Sequence, residues 1–162
     1  MTQAPAVMAS DDGQFAVRLP QAVLTRLFKL CEEAGQAETG GILIGRYDNA
    51  HAVALVEEIL GPTGDSRAGR TWFVRGVRGL TVALERLWRG GTYYLGEWHF
   101  HPGGAPEPSP PDIRAMRRIA SDPKAACPEP VLLVAAGGAS AIELGAFVVR
   151  ASGAIVTLTV RD

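Results

Sequence analysis

The chain has 162 residues, 47% of them hydrophobic, which suits one compact domain with its own core. Its 16 basic and 17 acidic residues leave a formal net charge of -1, so we expect neither nucleic acid nor a membrane as partner. Since the N-terminus lacks a secretion signal and no apolar run is long enough to span a membrane, we expect a soluble, cytoplasmic protein.

The N-terminal part predicts a short strand and a helix. Residues 1–13 are polar and are expected to form a flexible segment ahead of a single domain at 14–162. After an alternating strand, Pro20 opens a helix that runs to about Gly35. Its apolar positions recur at steps of three and four residues and are Val23, Leu24, Leu27, Leu30 and Cys31. This face is expected to pack against a sheet.

The next segment predicts a hairpin and a loop. Two apolar runs at 39–47 and 51–60 flank Asp48 and Asn49, a pattern typical of two antiparallel strands around a turn. The following residues, 61–70, are rich in Gly, Pro, Asp and Ser, which argues against regular structure. A polar loop of this length in a compact domain often borders a functional groove.

The remaining elements alternate between strands and helices. A strand at 71–74 is followed by a helix at 77–90, with an apolar side, and by an aromatic-rich strand at 92–101. A proline-rich loop leads into a third helix at 111–122, and three further strands end the chain. The order of elements predicts an α/β domain with a mixed β-sheet flanked by helices, rather than regular βαβ winding.

The strongest chemical signal is a histidine pair on the aromatic-rich strand. His99 and His101 are two residues apart, so both imidazoles project from one face, while Phe100 points to the other. Two imidazoles can share a metal ion if a third ligand arrives from another element. Asp112, at the start of the third helix, is the natural candidate because the helix dipole keeps a carboxylate there ionised. Such a set leaves an open position for water, which is typical of a catalytic zinc site.

Asp112 also has a simpler interpretation. With Ser109 as N-cap and the acid three residues later, the segment fits a capping box. A cap alone leaves the upstream histidines unexplained, and the whole pattern is rare by chance, so we favour the metal site. Sequence is a poor guide to metal identity, and zinc is taken as the default.

These motifs resemble a known family. The pattern HxHP at 99–102 and SxxD at 109–112, preceded by AETGGILIG at 37–45, is similar to the JAMM or MPN-type metallopeptidases. The resemblance extends over most of the chain and implies a β-sheet flanked by helices, akin to that of the cytidine deaminases. It implies one Zn²⁺ ion. The residues that it implies for the site are His99, His101 and Asp112 as ligands, Glu38 as general base and Ser109 as the helper that steadies the oxyanion.

Three residues have competing interpretations. Glu38 has a second interpretation as a solvated residue at a strand edge. Glu97 shares a face with both histidines but lies two strand steps, about 13 Å, from His101. It is assigned to the surroundings of the metal ligands or to the groove wall, with surface exposure as the alternative. His51 is interpreted as an ordinary polar residue.

The resemblance also implies a substrate class. Active JAMM enzymes cleave isopeptide or peptide bonds after the tail of a ubiquitin-like protein. Similar small bacterial proteins accompany E1-like and E2-like enzymes, including in antiphage operons, so the leading hypothesis is a deconjugase or processing peptidase. A second hypothesis is trimming of sulfur-carrier precursors in thiocarboxylate biosynthesis. A third, a catalytically silent MPN binding module, is disfavoured because such modules typically lack the zinc ligands.

Overall fold

The computed structural model of the protein describes residues 4–48, 50, 52–138 and 141–162. The elements, in chain order, are β1 (Ala6–Ala9), β2 (Ala16–Leu19), α1 (Gln21–Ala34), β3 (Thr39–Tyr47), β4 (Val53–Leu60), β5 (Arg67–Ala68), β6 (Phe73–Val74), α2 (Leu80–Arg89), β7 (Tyr93–Pro102), α3 (Pro110–Ser121), β8 (Val131–Gly138), β9 (Ala141–Val149) and β10 (Ile155–Arg161). None of the helices in this described part is long and apolar enough to cross a bilayer.

Eight of the strands form one closed sheet. Their order around the barrel is β1-β10-β9-β8-β7-β3-β4-β2, and β5 and β6 form a separate two-stranded sheet. The β2–β4 and β7–β8 pairs are parallel, whereas the other pairs in the barrel are antiparallel. The predicted single α/β domain with a mixed sheet is confirmed, but the closure of that sheet was not predicted.

Strand β1 accounts for this closure. Residues 1–13 were expected to be flexible, yet Ala6–Ala9 pair with β2 on one side and with β10 on the other. Met8 from this strand is 3% exposed and belongs to the core. Four residues are too few to show a clear alternation, and β10 lies at the other end of the chain, so no local pattern predicts β1.

Helix α1 follows the prediction closely. It begins after Pro20 and ends at Gly35, whose φ of 64° is readily adopted by glycine. Its buried residues are Val23, Leu24, Leu27, Leu30 and Cys31, as the periodicity predicts. They pack toward β3 and β4. Both cysteines, Cys31 and Cys127, are buried free thiols.

The hairpin and helix α2 show one agreement and one difference. Strands β3 and β4 are antiparallel as predicted, although Asn49 and His51 between them lie outside the described residues. Helix α2 forms in the predicted region, but none of its residues is buried and Trp88 is 65% exposed. Its apolar side is therefore only partly covered by the protein.

Three elements meet at one end of the barrel, which we call the motif end. It comprises the start of β3, the end of β7 and the start of α3. In the antiparallel β3–β7 pair, Gly40 lies opposite His99 and Thr39 lies opposite Phe100. If the same register is continued by one residue, Glu38 lies opposite His101. The fold thus collects the motif residues, which are far apart in sequence, in one place.

Candidate metal centre

Strand β7 directs the two histidines as the alternation predicts. His99 is 7% exposed and His101 is half-buried, whereas Phe100 between them is 3% exposed and packs in the hydrophobic core. Asp112 comes from the first turn of α3 and is 8% exposed. Of the side chains predicted to bind the metal, those of His99 and Asp112 are therefore sheltered from water, and the imidazole of His101 stays partly accessible.

The three side chains are in direct contact. Nδ1 of His99 lies 2.7 Å from Oδ1 of Asp112, and Nε2 of His101 lies 3.2 Å from Oδ2. Each carboxylate oxygen therefore faces a different imidazole. One potential ligand atom from each residue lies within 4.8 Å of the others. Within the described residues, this is the group whose composition and spacing suit a metal ion.

The capping box that competed with the metal site is also present. The hydroxyl oxygen of Ser109 accepts the backbone N–H of Asp112 at 3.3 Å, and Oδ2 of Asp112 accepts the backbone N–H of Ser109 at 2.8 Å. Both features use the same aspartate, because Oδ2 accepts the N–H of Ser109 and also faces His101, while Oδ1 faces His99. The two interpretations of Asp112 are thus compatible, and the cap fixes the carboxylate relative to the helix.

The electrostatics of the cluster suit a cation. Burial alone would lower the pKa of His99, but its hydrogen bond with Asp112 and the nearby carboxylate of Glu97 raise that pKa to about 9. Hydrogen bonding to Asp112 also raises the pKa of His101. Burial disfavours ionised Asp112, yet the two histidines hold its pKa well below the usual range. Two imidazoles and an ionised carboxylate are the donor set of a catalytic zinc site, so these residues fit the metal.

Glu38 lies beside this cluster, immediately before β3. It is half-buried, and its backbone N–H donates to the carbonyl of Gly69 at 2.8 Å, which fixes the chain at this point. Burial raises the pKa of its carboxyl, an effect reduced by His101 and His99 and reinforced by Asp112. The structure thus places the predicted base next to the predicted ligands, with part of its surface open to solvent.

Glu97 reaches the cluster at His99. Its side chain is buried, with the whole residue 4% exposed, so the alternative of surface exposure is wrong. Oε2 of Glu97 lies 3.6 Å from Nε2 of His99, and Oε1 accepts hydrogen bonds from Arg75 and Tyr94. Burial disfavours its charge, but His99 and Arg75 lower its pKa on balance. Its assignment to the surroundings of the ligands agrees with this geometry.

Two residues near the site were not singled out from the sequence. The ring of Phe73 meets the ring of His99 edge-on, with centroids 5.7 Å apart. Arg75 reaches Glu97 from 22 residues earlier in the chain. Both residues follow the loop that was predicted to border a groove. No local pattern in the sequence indicated that these two side chains turn toward the site.

Gly40 allows this close packing. A Cβ atom at this position would lie 2.8 Å from Cε1 of Phe73 and 2.9 Å from Cδ2 of His99, which is closer than real Cβ contacts allow. The second residue of β3 must therefore lack a side chain for the His99 ring to hold its place. This gives a physical reason for the glycine in the AETGGILIG segment.

A donor set of this chemistry, with a half-buried carboxylate beside it, is typical of metal-dependent hydrolases. The chain belongs to the prokaryotic homologs of the JAB domain, since the model of that family matches residues 20–149. This confirms the resemblance to the JAMM and MPN-type enzymes that the motifs indicated.

Curated relatives and a solved structure agree with this membership. This chain is 43% identical to a CD-NTase/cGAS isopeptidase of Enterobacter hormaechei subsp. hoffmannii. The match extends over 129 residues, which are 80% of this chain and 72% of the relative. The chain is 28% identical to the probable metalloprotease y4qB of Sinorhizobium fredii, over 74% of this chain and 75% of that protein. The fold is similar to that of protein DSY2949 from Desulfitobacterium hafniense, with a TM-score of 0.59, 19% identity and coverage of 86% and 85% of the two chains.

Proposed function

We propose that this protein is a zinc-dependent isopeptidase that releases a ubiquitin-like protein from its conjugates by cleaving after the C-terminal tail. The observation that supports the proposal most directly is the His99–His101–Asp112 cluster, in which His99 and Asp112 are buried, beside half-buried Glu38. A binding module has no need for such a combination of metal donors and a proton acceptor. The site is therefore best explained by catalysis.

In this proposal His99, His101 and Asp112 hold the metal. A bound zinc ion would act as a Lewis acid that polarises a water molecule and the scissile carbonyl. Glu38 accepts the proton of the attacking water and passes it to the leaving amine, because its raised pKa brings it closer to neutral pH. The hydroxyl of Ser109, held at the N-cap of α3, donates a hydrogen bond toward the carbonyl oxygen of the substrate, where negative charge develops during the attack.

The proposed substrate class comes from the relatives. The Enterobacter relative is named as a CD-NTase/cGAS isopeptidase, and relatives from Pseudomonas aeruginosa and Vibrio cholerae carry the same name. We extend that class to this chain. The substrate would be an isopeptide bond between a ubiquitin-like tail and a lysine amine, formed by E1-like and E2-like enzymes of a cytoplasmic antiphage system.

The loop that carries β5 and β6 offers a place for the tail. Arg67 and Ala68 of β5 are exposed, and among the described strands β5 pairs with β6 alone. An extended peptide can add to such an edge through main-chain hydrogen bonds. The carbonyl of Gly69, just after β5, meets the N–H of Glu38, so a tail bound along this edge would run toward the proposed base.

Glu38→Gln tests the proposal. The variant should bind one zinc per chain but cleave a ubiquitin-like protein fused to a reporter about 10² to 10⁴ times more slowly, since it cannot exchange a proton. Glu33→Gln is the matched control, because Glu33 is an exposed glutamate on α1. Full cleavage by Glu38→Gln would refute the base assignment. Zinc-free wild type would refute the enzyme itself and support a silent module.

Substrates made from the ubiquitin-like or sulfur-carrier proteins that neighbouring genes encode distinguish the two enzymatic hypotheses. Conjugates with a lysine isopeptide bond, linear fusions and sulfur-carrier precursors are compared by initial rate. Preference for the isopeptide conjugate supports deconjugation. Cleavage of sulfur-carrier precursors alone would instead assign the protein to thiocarboxylate biosynthesis.

A further inference from the structure

A buried ion pair next to the cluster has no part in the proposed reaction. Glu97 is 4% exposed, and its partner Arg75 has a side chain that is 20% exposed. Burying two charges costs free energy, so such a pair contributes little to stability unless it is held in good geometry. We therefore look for a role of the Arg75–Glu97 pair other than stabilising the fold.

The two oxygens of Glu97 have different partners. Oε1 lies 2.8 Å from both Nε and Nη2 of Arg75 and 3.2 Å from the hydroxyl of Tyr94. Oε2 faces Nε2 of His99 at 3.6 Å. Arg75 and Tyr94 thus hold one oxygen in place and aim the other at the imidazole.

The two nitrogens of His99 also face different groups. Nε2 points to Glu97, while Nδ1 points to Asp112 at 2.7 Å. In a neutral imidazole one nitrogen carries the proton and the other has the lone pair that binds a metal. Whichever group accepts the N–H of His99 therefore decides which nitrogen is available.

We propose that Arg75 and Glu97 are a positioning pair for His99. Glu97, oriented by Arg75, accepts the Nε2–H of His99 and so leaves Nδ1 as the donor on the side of Asp112. Carboxylates that hold a metal-binding histidine in this way typically raise metal affinity by about 10- to 100-fold. This inference rests on the proposed metal site and adds residues that neither motif contains.

Arg75 also makes the positioning depend on the loop at 61–79. Both carboxylate oxygens of Asp65 accept backbone N–H groups on the far side of the loop, from Val77 at 3.1 Å and Arg78 at 2.9 Å. The hydroxyl of Ser66 accepts the N–H of Gly76 at 2.9 Å. These bonds fix the backbone on the C-terminal side of Arg75, and through it the direction of the guanidinium. The loop is thus part of the support of the metal site.

Zinc affinity of matched variants tests the proposal. Competition with a chromophoric chelator is expected to show about 10- to 100-fold weaker binding for Glu97→Gln and a smaller loss for Arg75→Lys, which keeps the charge. Glu57→Gln is the control, since Glu57 forms an exposed pair with Arg46 and should bind zinc like wild type. The absorption spectrum of the cobalt-loaded protein should change in Glu97→Gln and not in the control. Affinity within twofold of wild type in folded Glu97→Gln would overturn the proposal.

A second measurement does not depend on the variants being folded. Because the chain has 3 histidines, proton–nitrogen correlation spectra of the zinc-loaded wild type can assign each ring. The proposal expects the proton of His99 on Nε2, and a proton on Nδ1 would overturn it.

The outcomes separate this proposal from the metal site itself. If wild type binds no zinc, or His99→Ala keeps it, the metal site fails and the positioning role fails with it. If wild type binds and cleaves normally while Glu97→Gln matches it, the positioning role alone is refuted.

Discussion

The two ends of the barrel differ in chemistry although the same strands build both. At the motif end, His99, Asp112 and Glu97 are buried together. At the opposite end, strands β3, β7 and β8 border a cavity of about 430 Å³ with mostly apolar and aromatic walls, including Phe15, Tyr93, Cys127 and Pro128. The comparison shows that one strand can serve both ends, because β7 carries Tyr93 and Tyr94 at the cavity and His99 and His101 at the motif end. The first turn of α3 adds Asp112 to the histidines, and the loop at 61–79 adds Arg75.

The titration behaviour of the two ends differs accordingly. At the cavity, burial raises the pKa of Cys127 to about 11, and it also raises the pKa of Tyr47, so these groups stay neutral at ordinary pH. At the motif end, hydrogen bonds overcome burial and favour charged groups, with the pKa of His99 raised to about 9. Changes at the two ends should therefore have separable effects on metal binding, cleavage and stability.

The largest difference between the ends should come from His99→Ala. Loss of a ligand should remove stoichiometric zinc and reduce cleavage by about 10³-fold or more, because the remaining donors do not complete the site. Cys127→Ala is the matched change at the cavity and should leave both quantities as in wild type. Metal analysis and initial rates measure these effects. Retention of zinc by His99→Ala would show that the motif end is not the metal site.

Ser109→Ala should separate the two roles of the first turn of α3. Loss of the cap should lower the free energy of unfolding by about 0.5 to 2 kcal/mol. Loss of the hydroxyl donor should lower the cleavage rate by about 10² to 10³. Ser109→Thr keeps a hydroxyl and should recover most of both. A lower stability with an unchanged rate would mean that Ser109 is only a cap.

The pH dependence of zinc binding should reflect the motif end alone. The raised pKa of His99 means that, in the metal-free protein, both ring nitrogens stay protonated up to about pH 9, and zinc must displace one of these two protons. Affinity should therefore increase with pH, by about tenfold per unit for each proton released, and level off as pH approaches 9. Chelator competition between pH 6 and 8 should show a rise of about 100-fold or more. A flat profile would contradict the charged state of the cluster.

The smallest effect is expected from a change at the cavity. Ala126 has a φ of 49°, in the left-handed region that glycine adopts more easily. Ala126→Gly relieves this conformation but gives the unfolded chain more freedom, so the free energy of unfolding should change by less than about 1 kcal/mol. Zinc affinity should stay within twofold of wild type. A larger change in affinity would show that the two ends are coupled.

The motif residues were predictable because their signals are local. Alternation along β7 places His99 and His101 on one face, and the cap of α3 is contained in four consecutive residues. The structure brings these side chains together with Asp112 and places Glu38 beside them. Their roles as ligands and base remain predictions. Helix α1 was predictable for the same reason, since its periodicity alone identifies its buried face.

What the sequence did not predict depends on contacts between distant segments. Closure of the barrel requires Ala6–Ala9 to pair with β10, and nothing within those four residues indicates this. The contact between Arg75 and Glu97 depends on the path of the loop at 61–79. The apolar side of α2 has the right period and the helix contacts β7, yet Trp88 stays exposed. Periodicity indicates which face is apolar, not whether a partner is available.

The capping box at Ser109 and Asp112 has a consequence for how such sequences can diverge. Its hydrogen bonds run within four residues and include neither histidine. A descendant that lost both imidazoles would keep the capping box that begins α3. Selection on folding and selection on catalysis thus act on overlapping but separable sets of residues. This fold can therefore lose its chemistry by few substitutions and persist as a scaffold for other uses.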